Sequence, residues 1–185
     1  MTTTTTISDA KPEAGDWESA PLSDLIDHIV ETHHVFLRAH LPKLGERLER
    51  LMRKSPETRC DFVAPLHDTF FDLKNELDAH LLKEERILFP MITQMEEARA
   101  AGAEPPPNHC GTVQAPIRQM EHEHANGKKA LAGMRALTNG YPIEEGMCNG
   151  RRGLFEDLLA LEADLFEHMR LENEILHPRA AELEK

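Results

Sequence analysis

Cysteine is scarce in this chain: Cys60, Cys110 and Cys148 are an odd number with no C-x-x-C spacing. That excludes a disulfide framework and a zinc knuckle and leaves free structural thiols. Basic charge is short as well. Lys and Arg total 21 against 33 Asp and Glu, a net charge of -12, so the footprint for nucleic acid or an anionic membrane surface is missing. No apolar run approaches the roughly 18 residues of a membrane span. The opening MTTTTTISDAKPEAGDW has neither the basic nor the apolar region of a signal peptide. These absences point to a cytoplasmic protein with no nucleic-acid and no membrane partner. Strand-like alternation is nearly absent too, which leaves an all-α chain.

At 185 residues the chain is read as one domain able to bury its own core. Residues 1–16 are Thr-rich and polar and read as a mobile tail, and residues 17–185 as a helical bundle. The punctuation gives four long helices. The first is expected over 23–54 with Ser23 as N-cap, carrying Leu25, Ile29, Leu37, Leu41, Leu44 and Leu48 at helical intervals, with a bend at Pro42. The second is expected over 56–99, with Pro65 and Pro90 disturbing it. A loop rich in Pro and Gly over 101–111 precedes a third helix over 113–139, and a fourth covers 151–182. Four such helices with short connections make an up-down-up-down four-helix bundle.

Against the shortage of cysteine stand eleven histidines, and their spacing is not random. His80-Leu-Leu-Lys-Glu84-Glu-Arg-Ile-Leu-Phe-Pro90 and His168-Met-Arg-Leu-Glu172-Asn-Glu-Ile-Leu-His-Pro178 are near copies. In each, a histidine precedes a glutamate by four residues, which puts imidazole and carboxylate on one helical face a turn apart. A second echo, Glu31-Thr-His-His34 and Glu121-His-Glu-His124, lies ahead of each copy. A lone His/Glu pair at this spacing is ordinarily a solvated surface pair. Its repetition, with two further histidines, turns the reading toward a doubled half-site. Heights along the bundle agree: at about 1.5 Å rise per residue, His34 and His80 differ by ~5 Å and His124 and His168 by ~3 Å. His28, His33, His40, His67, His109, His122 and His177 are assigned to the surface or to supporting positions.

Four imidazoles and two carboxylates exceed what tetrahedral zinc requires, and mixed N/O ligation without thiolate suits iron or manganese. Two metal ions are the natural count, each with two histidines and with Glu84 and Glu172 bridging. One turn before each pair stands another acid, giving Glu76-His80-Glu84 and Asp164-His168-Glu172; such acids orient a ligating imidazole through its free N–H. Met120 and Leu165 would supply an apolar surround.

These residues, together with Asp16-Trp-Glu-Ser-Ala-Pro-Leu, Ile26-Asp-His-Ile29, Met120-Glu-His-Glu-His124 and Glu172-Asn173, resemble the hemerythrin-like (HHE) domain of the repair-of-iron-centres family over residues 16–182. The resemblance implies a non-haem di-iron site, oxo- or hydroxo-bridged, with His34, His80, His124 and His168 terminal and Glu84 and Glu172 bridging. It implies that Glu76 and Glu123 line an access channel. It further implies protection or repair of iron–sulfur clusters under nitrosative or oxidative stress, by reaction with nitric oxide, by supply of iron to damaged iron–sulfur proteins, or by both. Whether nitric oxide is reduced catalytically or trapped stays open. Longer relatives carry an N-terminal domain with paired cysteines, where this sequence has its Thr-rich stretch, and the Phe before the last proline is here His177. An O2 carrier or an iron or oxygen sensor is the alternative. Oxygen-carrying hemerythrins resemble this site but use a fifth histidine on the third helix, where this chain has Met120 and Lys128.

Overall fold

A computed structural model describes residues 17–54, 60–105, 107 and 111–185. The expected tail over 1–16, as well as His109 and Cys110, lies outside the described residues. The described chain is all helical, with four long helices, as the sequence pattern indicates. The first comprises Leu22–Ile29, a wider π-helical turn over Val30–His34, and Val35–Met52. The second comprises Val63–Lys83, a π-helical turn over Glu84–Leu88, and Phe89–Ala100. The third is an uninterrupted Gln114–Leu137. The fourth comprises Asn149–Arg170, a π-helical turn over Leu171–Leu176, and His177–Glu182.

Leu22–Ile29 packs against Phe89–Ala100 and against the Leu171–Leu176 turn, while Val35–Met52 meets Val63–Lys83. The first helix is therefore antiparallel to both the second and the fourth, and the second also packs along the third. The core divides into two apolar clusters. One, at one end of the bundle, includes Leu25, Ile29, Ile92, Met120, Ile117 and Leu176. The other, at the opposite end, includes Leu41, Leu44, Phe70, Leu73, Leu158 and Leu165. Between them lies a buried polar layer.

Two expectations about helix ends need correction. Ser23 lies inside the first helix; the Glu96 carboxylate instead accepts from the backbone N–H of Leu22 at 2.6 Å and of Ser23 at 2.9 Å. A carboxylate from a neighbouring helix thus satisfies the donors that a local cap would have served and complements the positive end of the helix dipole. The second helix begins at Val63, later than expected, so Pro65 sits in its first turn, where a missing N–H is harmless. Pro42 lies on the exposed face of a segment that continues through it as helix. Pro90 and Pro178 both stand at the second residue of the segment that follows a π-helical turn. A proline ring clashes with the carbonyl four residues back, and the wider turn relieves that clash. The third helix ends at Leu137, after which Asn139, Gly140 and Tyr141 take positive φ and turn the chain toward the fourth.

Candidate metal centre

All six side chains singled out by spacing meet in the polar layer. His34, Glu84 and Glu172 are fully buried, and His80, His124 and His168 are at most 5% exposed. Two overlapping groups form, each with donor atoms within 4.8 Å of one another: His34, Glu84, His168 and Glu172, and His80, Glu84, His124 and Glu172. Each carboxylate divides its oxygens between the groups. Glu84 turns Oε1 to His80 Nε2 at 3.0 Å and Oε2 to His34 Nε2 at 3.4 Å and His168 Nε2 at 4.0 Å. Glu172 turns Oε1 to His168 Nε2 at 3.2 Å and Oε2 to His124 Nε2 at 3.1 Å.

Local helix geometry explains why the pairs face inward. Glu84 opens one π-helical turn and Glu172 lies in another, and His34 closes a third. Such widened turns recur at functional sites because they shift the register of the residues that follow without ending the helix. Both carboxylates, with the Nε2 atoms of His34 and His168, lack any partner with hydrogen-bond geometry despite complete burial. Two carboxylates in a dry core repel each other and carry a large desolvation cost unless cations compensate them. Nitrogen and carboxylate oxygen without thiolate form a donor set suited to divalent first-row metals. The residues present therefore fit metal ions.

Behind the inward nitrogens, the outward Nδ1 atoms are held in place. Glu85 faces His34 at 2.7 Å, Glu123 faces His80 at 2.8 Å, and Asn173 faces His124 at 2.9 Å. A partner on Nδ1 fixes the ring and leaves Nε2 for the metal. Glu85 is itself clamped by Arg38 at 2.7 Å, and Glu123 by Lys83 and by Gln119 at 2.6 Å. His168 differs: its Nδ1 has no hydrogen-bond partner, and its ring stacks on buried His33 with centroids 5.6 Å apart.

The expected orienting acids therefore need revision. Glu76 is exposed and does not bond His80, because Glu123 from the third helix takes that position. Asp164 bonds His33 Nδ1 at 2.9 Å rather than His168. Glu31 and Glu121 of the E-x-x-H echo point outward. The effective partners Glu85 and Asn173 directly follow Glu84 and Glu172, so the copied segments carried that signal; only the neighbouring helix reveals which ring each reaches. Among the other histidines, His122 is exposed and His28, His40 and His67 are half-buried. His177, assigned to the surface or to a supporting position, is buried and stacks parallel to His124 at 6.1 Å.

Charge follows this geometry. Burial would depress His80, but the Glu84 carboxylate, with Glu172 and Glu123, overrides it and raises the ring to about 9 in the metal-free chain. His34 is likewise raised, with burial opposed by Glu84 and Glu85. Burial pushes both Glu84 and Glu172 upward, yet the facing imidazoles hold both below the ordinary carboxylate range. Glu123 is partly desolvated, but Lys83, Gln119 and His80 bring it down to about 2. Burial lowers His177, which stays a neutral imidazole.

Beside the His80/His124 group lies a narrow cavity of about 20 Å³ lined by Leu73, Leu77, His80, His124, Leu165 and His168, with Glu76 and Glu123 also on its walls. That volume admits one water-sized molecule.

Comparison with known proteins agrees with this geometry. The iron-sulfur cluster repair protein YtfE of Pectobacterium atrosepticum is 38% identical over 168 residues, covering 91% of this chain and 70% of that protein. YtfE of Edwardsiella ictaluri is 38% identical, covering 89% and 68%. YtfE of Escherichia coli O81 is 34% identical over 176 residues, covering 92% and 71%. The hemerythrin HHE cation binding domain matches residues 25–180, a span that contains all six converging side chains, and the chain belongs to that family.

Proposed function

We propose that this chain is a non-haem di-iron protein that protects or repairs iron–sulfur clusters under nitrosative or oxidative stress, by reacting with nitric oxide, by supplying iron, or by both. The carrying observation is the division of the Glu84 and Glu172 oxygens between two donor groups, which is how a carboxylate serves two ions at once. In this reading His34 and His168 would hold one ion and His80 and His124 the other, with Glu84 and Glu172 offering one oxygen to each. The relatives, named as iron-sulfur cluster repair proteins, support the biological role.

When bound, a pair of ferrous ions supplies electrons and open coordination positions for a small diatomic molecule. The protein's own residues do the rest. Glu85, Glu123 and Asn173 hold three rings so that Nε2 faces inward. The two apolar clusters exclude bulk water from both ends of the polar layer. The narrow cavity restricts access to molecules of diatomic size, and the Glu76 and Glu123 carboxylates on its wall disfavour larger anions. No helix among the described residues is long and apolar enough to cross a membrane. The cytoplasm, where damaged iron–sulfur proteins would be the recipients of iron, is the compartment that suits this role.

Metal analysis of protein purified from iron-replete culture tests the reading. The expected result is about two irons per chain, with the ferrous form reacting with nitric oxide. One tightly held zinc, or no retained metal, overturns it.

A further inference from the structure

Five residues after each shared glutamate, the two copied segments differ. In the first copy Phe89 follows the widened turn Glu84–Leu88, and its ring stacks on His34 with centroids 5.7 Å apart. In the second, His177 follows the widened turn Leu171–Leu176, and its ring stacks on His124 at 6.1 Å, within 7° of parallel. The two positions are structural equivalents, and Phe89 is an internal control. Hydrocarbon suffices to close one side of the polar layer, yet the other side carries an imidazole.

That imidazole is 1% exposed, and both of its ring nitrogens lack a hydrogen-bond partner. A neutral imidazole has one donor and one acceptor, and burying both unpaired is costly. Native structures reserve such orphaned groups for a ligand, an ion or a function. His177 also belongs to neither group of converging donor atoms, although it touches the ring of His124, which belongs to one. It directly follows Leu176, which belongs to the apolar cluster that also holds Met120 and Ile175.

We propose that His177, buried beside His124 with both nitrogens unpaired, is a positioning residue that hydrogen-bonds a small exogenous ligand on the ion held by His80, His124, Glu84 and Glu172. The counterpart ion is flanked by Phe89 and by His33, whose Nδ1 is engaged by Asp164 at 2.9 Å, so no imidazole with both nitrogens unpaired stands beside it. The two ions therefore differ in ligand affinity even though their protein donors match in type. This assignment rests on the di-iron reading above and adds to it a distinction between the two positions.

The probe is azide, titrated into the ferric protein and followed by its charge-transfer absorption, with iron content measured in the same samples. His177→Phe restores the residue of the equivalent position and keeps the volume apolar. His177→Gln keeps a donor. Expected is unchanged iron content in all three proteins, azide affinity at least about tenfold weaker in the Phe variant, and affinity within about threefold of the parent in the Gln variant. Equal affinity in the parent and the Phe variant overturns the proposal, as does the absence of any azide adduct in the parent. Loss of iron in the Phe variant also overturns it, because His177 would then be a ligand. Iron far below two per chain in the parent fails the di-iron reading itself, a result separate from any change in azide binding.

Discussion

Two segments of this chain, His80 to Pro90 and His168 to Pro178, share a sequence and a backbone device yet end in unlike surroundings. Both place an i, i+4 His/Glu pair at a widened turn, with Nε2-to-carboxylate distances of 3.0 and 3.2 Å, and both follow it with proline. Beyond that they diverge. His80 leans on the charged Glu123, itself held by Lys83, whereas His168 leans on a stacked ring, that of His33, tied to Asp164. Glu85 reaches across to His34 as a carboxylate, while its counterpart Asn173 reaches across to His124 as a neutral amide. The first half of the site is thus backed by two negative charges, and the second half by an amide and a ring. A carboxylate behind an imidazole increases its basicity and its grip on a metal. Duplication of sequence therefore preserved the inward donors and left their support to vary.

The sharpest challenge to this comparison is to remove the shared carboxylates one at a time. Glu84→Ala and Glu172→Ala are each expected to reduce iron to less than one per chain while the circular dichroism of the metal-free protein keeps its helical form. The helices are held by the apolar clusters on either side of the polar layer, so loss of one carboxylate is read as loss of iron rather than loss of fold. Retention of two irons by either variant would break the claim that both glutamates serve both ions.

A smaller effect separates the supporting groups. Glu123→Gln is expected to weaken iron binding by about 10- to 100-fold, and Asn173→Ala by less, because only the first removes a charge behind the ring. The pH dependence carries the same information. His80 is raised to about 9 in the metal-free protein, so below that value an incoming ion must displace its proton. Apparent iron affinity should climb by about tenfold per pH unit up to that value and then level off. Removing the Glu123 charge lowers His80, so the levelling point should move to lower pH. Equal losses for both variants, with an unmoved levelling point, would erase the distinction between the two halves.

The smallest expected effect concerns the cavity, which opens beside the His80/His124 group. Gly127 lines it from the third helix, and a Cβ there would meet Leu73 Cδ1 at 3.9 Å, an ordinary contact. Gly127→Ala should raise stability by about 0.5–1 kcal/mol through helix propensity, read by chemical denaturation. It should also slow nitric oxide binding to the ferrous form by a few fold in stopped-flow measurements. An unchanged rate would place ligand entry elsewhere.

Much of the site was legible because an α-helix converts sequence spacing into facing direction: residues four apart share a face whatever surrounds them. The pairs His80/Glu84 and His168/Glu172 needed only that rule, and their repetition separated them from surface pairs. The all-α class, the four helices and the matching heights of His34 with His80 and of His124 with His168 followed from apolar periodicity and loop punctuation. Spacing also suggested Glu76 and Asp164 as orienting acids, and there it failed. An acid a turn before a histidine can point outward, as Glu76 does, or toward another helix, as Asp164 does toward His33. Ser23 failed as a cap for the same reason, since Glu96 from the second helix was better placed.

What the sequence by itself determined is the inventory: six inward donors in two copies, no thiolate among them, on helices of matching height. What only the tertiary structure decided is the partnering. It put Glu123 behind His80, His33 against His168 and His177 against His124, and it sent one oxygen of each glutamate to each donor group. The physical reason is that directions along a single helix are fixed by its local periodicity, while contacts between helices depend on the rotation and register that packing the whole core selects.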